Sequence, residues 1–185
     1  KLFCPNLLFI WNLPDIILQT RVTNPNPPVN IIHRPRLLNI LTKNKDMPLV
    51  LICASAGFGK TTLVLDYLST QNLPFAWLYV TRDINNQLIF FSYIIHSLKK
   101  IKEDFGENTL KIIESLRQEN QPELSDESMI KDLTATFLND FIACFNENII
   151  IVIDDIHNIP AESQNSWLNN VFDTLLDNMP SNLHF

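Results

Sequence analysis

Lys60 and Thr61 follow two glycines at 57 and 59, and Asp154 and Asp155 stand together 154 − 60 = 94 residues after that lysine. An ammonium, a hydroxyl and two adjacent carboxylates are the groups needed to hold a polyphosphate and its metal ion. The loop itself reads Ala54, Ser55, Ala56, Gly57, Phe58, Gly59, Lys60, Thr61, Thr62. Its glycines permit backbone angles that turn successive N–H groups toward one point, where they can bind phosphate oxygens. Lys60 adds a point charge for the β- and γ-phosphates, and Thr61 offers its hydroxyl to Mg²⁺. The first position of the usual pattern is relaxed from Gly to Ala. Chance occurrence of the relaxed pattern in a chain of this length is roughly one or two per hundred at average residue usage, so context has to decide.

The context fits. The chain has 3 glycines, and two of them lie in this loop. Residues 47–53, Met-Pro-Leu-Val-Leu-Ile-Cys, form a short continuous apolar run, the pattern of a parallel strand buried on both faces. After the loop, Leu63, Val64, Tyr67 and Leu68 recur at helical spacing, so a helix start would direct its positive end at the anion. Residues 75–80 read as a second strand, followed by a helix with one apolar stripe of Leu88, Phe91, Ile95 and Leu98. Two more helices are expected, one around Leu110, Ile113 and Leu116, the other around Ile130, Leu133, Phe137 and Phe141. The polar stretch 118–128 between them reads as an exposed connection. Residues 149–153 form a third buried strand ending in the acid pair. A last helix follows, with Trp167, Leu168, Val171, Phe172 and Leu175 on its inner face.

This alternation predicts an α/β fold: a three-layer α/β/α phosphate-loop NTPase with a mostly parallel sheet, incomplete at its C-terminal end. Residues 31–185 would form that truncated domain. Residues 1–30 would be an extended or poorly structured segment, since residues 23–35 are rich in Pro and Asn. Asp154 would emerge at the C-terminal edge of its strand and bind the metal with Thr61, while Asp155 would orient or polarise the attacking water. Two acids after an apolar strand could instead open a solvated loop or cap the next helix.

Composition narrows the function classes. The 46% hydrophobic and 18% charged content is that of a globular domain with a core. A net charge of −6 argues against a nucleic-acid groove within these residues. Cys4, Cys53 and Cys144 are widely spaced and suggest neither zinc nor a disulfide framework, which fits a reducing cytosol. Cys53 reads as a small buried thiol, with a redox sensor as the alternative. The apolar residues 1–13 are too short to span a bilayer and are interrupted by Pro5 and Asn6, so no membrane role is expected.

At this point the residues resemble the signal-transduction ATPases with numerous domains (STAND), in particular the large ATP-dependent LuxR-type regulators related to the maltose-regulon activator. The likeness runs from Gln19-Thr-Arg through His33-Arg-Pro-Arg-Leu-Leu, the phosphate loop, Ala76-Trp-Leu, Asp154-Asp-Ile-His and Met179-Pro-Ser-Asn-Leu-His. It implies a nucleotide switch that binds ATP or ADP with Mg²⁺, oligomerises with its own kind in the ATP state, answers a small-molecule inducer and reaches DNA through a C-terminal domain absent here. It also implies that Arg34 lies on the adenine side of the nucleotide and that His157 is the histidine following the acid pair. The turn at residues 81–86, Thr-Arg-Asp-Ile-Asn-Asn, departs from the family's acidic turn. The resemblance further implies that residues 183–185 open a strand lying between the loop strand and the acid strand. A chain stopping there is expected to be marginally stable and to hydrolyse ATP poorly. An ATPase module of a chaperone-like or AAA-type machine is the alternative, and a small-molecule kinase a weaker one, because no cationic cluster follows the loop.

Overall fold

In the computed structural model the described residues are 17–26, 30–118, 127–159 and 167–185. Alternating side chains on a central parallel sheet send apolar residues to two faces, and each face is covered by helices. The strands are β1 (Phe75–Tyr79), β2 (Ile149–Asp154) and β3 (Leu183–His184), in the order β1-β2-β3 and parallel throughout. Trp77 pairs with Val152 and Ile150 with His184, so these side chains share one face. Ala76, Leu78, Ile149, Ile151 and Leu183 point to the other, where the larger core lies.

The larger core is built on α3 (Gln87–Leu98), with α4 (Glu107–Gln118), α5 (Glu127–Cys144) and α6 (Asn169–Asn178) around it. The expected single stripe on α3 understates it. Apart from His96, every residue of α3 is buried, because the helix runs between the sheet and the other helices. Asn86 caps it, its Oδ1 accepting from the Ile89 N–H at 2.9 Å. The start of α4 is capped from a neighbouring helix: buried Asp140 of α5 accepts from the Thr109 N–H, the Thr109 hydroxyl and Asn108. A chain of ring contacts crosses this core, from Phe185 through Phe172, Phe90, Phe91, Phe137 and Phe105 to Phe145 and Phe141. Such aromatic pairs are worth about 0.5–1.5 kcal/mol each beyond their burial.

The second face carries α1 (Pro35–Lys43) and α2 (Lys60–Gln71), whose Leu65, Tyr67 and Leu68 pack on Trp77. Helix α1 was not foreseen in the Pro-rich lead-in. Pro35 occupies its first turn, where a missing N–H costs nothing, and Leu38 and Leu41 face the smaller core. The expected connection at 118–128 falls mostly outside the described residues.

The run 47–53 corrects an expectation. It lies beside β3, since Phe185 N–H donates to the Pro48 carbonyl at 2.9 Å and Val50 N–H to the Phe185 carbonyl at 2.8 Å. β3 therefore stands between this run and β2, as the resemblance implies. The run is nevertheless not buried on both faces: Leu51 is 72% exposed and Cys53 is exposed, not a buried thiol. The ladder stops at Phe185, so residues 51–53 have no neighbouring strand among the described residues. β2 is likewise covered unequally, with Ile149 and Ile151 buried and Ile150 and Val152 half-buried.

Candidate functional site

The phosphate loop joins the exposed run to α2 and adopts the conformation its glycines allow. Gly57 and Gly59 have φ of +80° and +74°, the left-handed region that a side chain resists. Gly59 is the N-cap of α2, so the first free N–H groups of that helix lie at the loop. Lys60 Nζ donates to the Ala54 carbonyl at 2.9 Å and reaches the Ser55 carbonyl at 3.4 Å, folding the ammonium across the loop. Arg34, the N-cap of α1, donates from Nη1 to the Phe58 carbonyl at 2.8 Å.

The acid pair is brought to this loop by β2. Thr61 donates its hydroxyl to Asp154 Oδ2 at 3.0 Å, although 93 residues separate them. Burial pushes the Asp154 carboxyl above the usual carboxylate range. The Thr61 hydrogen bond pulls it back, the neighbouring Asp155 raises it again, and Lys60 lowers it. Asp155 has φ 58° and ψ 38°, a left-handed conformation uncommon outside glycine and tolerated best by Asn and Asp. That turn ends β2 abruptly and starts a short 3-10 turn, Ile156–Asn158. His157 lies there, largely exposed, with Nδ1 3.9 Å from Asp155 Oδ1.

Two hard oxygen donors side by side, next to a lysine, suit Mg²⁺, which takes one or two protein oxygens and completes its shell with phosphate and water. Among the described residues no group of three or more His, Cys, Asp or Glu could hold a metal ion. A cavity of about 210 Å³ opens beside the site, and Lys60, Thr61 and Asp154 line it together with apolar Val64, Val152 and Phe185.

Residues outside the loop and the acid pair hold the site's surroundings. His33 Nδ1 lies 2.9 and 3.1 Å from the two carboxylate oxygens of Asp66, a buried residue of α2, and so fixes the segment that carries Arg34. The divergent turn after β1 is held from three sides. Asn158 Nδ2 donates to the Val80 carbonyl at 3.0 Å, Trp167 Nε1 to the Asn85 carbonyl at 2.9 Å, and Arg21 pairs with Asp83 while its guanidinium lies over the Tyr93 ring. Thr81 donates to the same Asp83 carboxylate at 2.6 Å. Nothing in the spacing of Arg21 or Asp83 announces this pairing across 62 residues.

No family model matches the chain. It is similar to the serine/threonine-protein kinase PknK of Mycobacterium tuberculosis, 31% identical over 136 residues, which are 72% of this chain and 11% of that protein. It is also similar to the HTH-type transcriptional regulator MalT of Vibrio parahaemolyticus, 27% identical over 168 residues, and to MalT of Vibrio cholerae, 26% identical over 167 residues. Each MalT match covers 90% of this chain and 17% of the relative. The chain thus spans less than a fifth of the length of these relatives. Among the described residues no helix is long and apolar enough to cross a membrane.

Proposed function

We propose that this chain is the nucleotide switch of a signal-responsive transcriptional regulator, binding Mg-ATP at the phosphate loop and hydrolysing it slowly. The observation that carries the reading is the Thr61–Asp154 hydrogen bond, which joins the two oxygen donors a phosphate-bound Mg²⁺ requires. The similarity to MalT supports the regulatory setting.

The loop N–H groups from residue 54 to Thr62 and the start of α2 would cradle the phosphates. Lys60 would exchange its carbonyl partners at Ala54 and Ser55 for phosphate oxygens, a charge-assisted bond replacing neutral ones. Thr61 and Asp154 would hold Mg²⁺, which when bound neutralises charge on the phosphates. Asp155 would accept a hydrogen bond from the attacking water and orient it. Its left-handed backbone turns it away from the line of β2, so two consecutive acids take different directions and different tasks.

ATP and ADP are the ligands in this reading, with self-association favoured by ATP. The small-molecule inducer and the DNA would be met by other regions of the regulator, consistent with the net charge of −6 here. PknK and MalT are named for different activities yet both match this stretch, which suits a module that supplies a state rather than a chemistry to its host. Calorimetric titration of Mg-ATP into the wild type and Lys60→Ala tests the site. Binding should be lost in the variant, and equal affinity in both would refute the proposal.

A further inference from the structure

Arg34 does more in this fold than present a cation to solvent. Its Nη1 donates to the Phe58 carbonyl at 2.8 Å. A Cβ placed on Gly59 would lie 2.9 Å from Nη2 of the same guanidinium, so the fork spans the Phe58–Gly59 peptide. Among the described residues no carboxylate pairs with Arg34. The arm is anchored from behind, because His33 is held to buried Asp66 of α2 and the Arg34 carbonyl accepts the Leu37 and Leu38 N–H groups at the start of α1.

A trans peptide is planar, and its C=O and N–H point in opposite directions. Whatever fixes one fixes the other. We propose that Arg34 is a positioning residue that clamps the Phe58–Gly59 peptide plane, drawing the Phe58 carbonyl outward and thereby turning the Gly59 N–H toward the phosphate. The proposal deepens the nucleotide-switch reading and rests on it for the identity of the anion. It differs from a contact with adenine, because the partner of the guanidinium is the loop's own backbone. Without the clamp, the left-handed Gly59, free to populate either sign of φ, would let the peptide flip about Phe58 ψ and Gly59 φ and offer the anion a carbonyl dipole instead of an N–H.

The test uses the whole chain as wild type, Arg34→Ala and Arg34→Lys. Lysine keeps the charge but lacks the planar fork. In ligand-free protein, the Phe58 carbonyl ¹³C shift and the Gly59 N–H residual dipolar coupling should move in both variants. Affinity for Mg-tripolyphosphate, which has neither base nor ribose, should fall about tenfold in both, as loss of one charge-assisted positioning bond implies. The proposal is overturned if the Phe58 and Gly59 signals stay in place in Arg34→Ala. It is equally overturned if Arg34→Lys binds tripolyphosphate like wild type, or if only ATP and not tripolyphosphate is weakened. Should the wild type bind neither ligand, the nucleotide reading falls, while the ligand-free signals still decide the clamp.

Discussion

The hydroxyl of Thr61 and the carboxylate of Asp154 meet at 3.0 Å, one from the first turn of α2 and the other from the last residue of β2. A helix start and a strand end are thereby tied at the point where an ion would bridge them. Burial and the adjacent Asp155 hold the Asp154 proton above the usual carboxylate range. A raised folded value means the folded state binds that proton more tightly than the unfolded chain. The stability it contributes is present at low pH and is lost as pH rises from the ordinary carboxylate value through the raised one. In EDTA, Asp154→Asn should therefore remove this loss, and its melting temperature relative to wild type should rise between pH 4 and pH 8. A variant whose relative melting temperature falls over that range would contradict the assignment. Mg²⁺-dependent nucleotide binding should drop in the same variant.

Lys60 spends the ligand-free state on the carbonyls of Ala54 and Ser55. Those bonds are exposed and contribute little to stability, so Lys60→Ala should leave the melting temperature within a degree or two while weakening Mg-ATP at least about a hundredfold. Paired melting curves and titrations check both halves.

Asp155→Asn keeps a residue type that tolerates left-handed backbone and removes the charge next to Asp154. ATP affinity should be retained or improved, and turnover should fall about a hundredfold if the carboxylate orients water. Single-turnover hydrolysis separates the two. Asp155→Gly should by contrast stabilise the fold by up to about 1 kcal/mol by relieving the positive φ, with the same loss of turnover.

Arg21 and Asp83 tie the segment before α1 to the turn after β1. Burial raises the Asp83 carboxyl, but hydrogen bonds from Arg21 and Thr81 outweigh it and hold the group below its ordinary value. This contribution is present above the ordinary carboxylate range and is lost as pH falls through the lowered one. Arg21→Ala should therefore destabilise the protein most at neutral pH and least in acid. A denaturant midpoint equally displaced at pH 3 and pH 7 would mean that packing of Arg21 on Tyr93 dominates.

Asp140→Ala should cost about 2–3 kcal/mol, because it strands the N–H and the hydroxyl of buried Thr109 at the start of α4 and removes the partner of Asn108. Urea unfolding measures it. A cost under about 0.5 kcal/mol would show that water replaces the cap.

Features that repeat with a period were readable from the chain: the apolar run of β2, the stripe of α2, the inward residues of α5 and the glycine loop between run and helix. Each is a local pattern whose physical cause is burial of one face or freedom of φ. Less readable was anything decided by which element lies next to which. Leu51 and Cys53 read as core because apolar runs usually have strands on both sides, and here the hydrogen bonds end at Phe185. Helix α1 was hidden because its opening Pro35 belongs to a Pro-rich stretch that argues for extended backbone. The contacts of Arg34, Arg21 and Asp140 join residues 24, 62 and 31 positions apart and leave no spacing to notice. The resemblance places Arg34 on the adenine side of the nucleotide, but its target, a backbone carbonyl of the loop, depends on the loop's shape.

Trp77 packs in the smaller core under α2, and Trp167 touches Phe90 at the near end of the ring chain in the larger one. One indole thus sits on each side of the sheet, the first against the helix that begins at Lys60. Emission from Trp77, isolated by Trp167→Phe and Trp11→Phe, becomes an intrinsic optical gauge of what happens at the loop, while a second variant, Trp77→Phe with Trp11→Phe, leaves Trp167 as the reference on the far side.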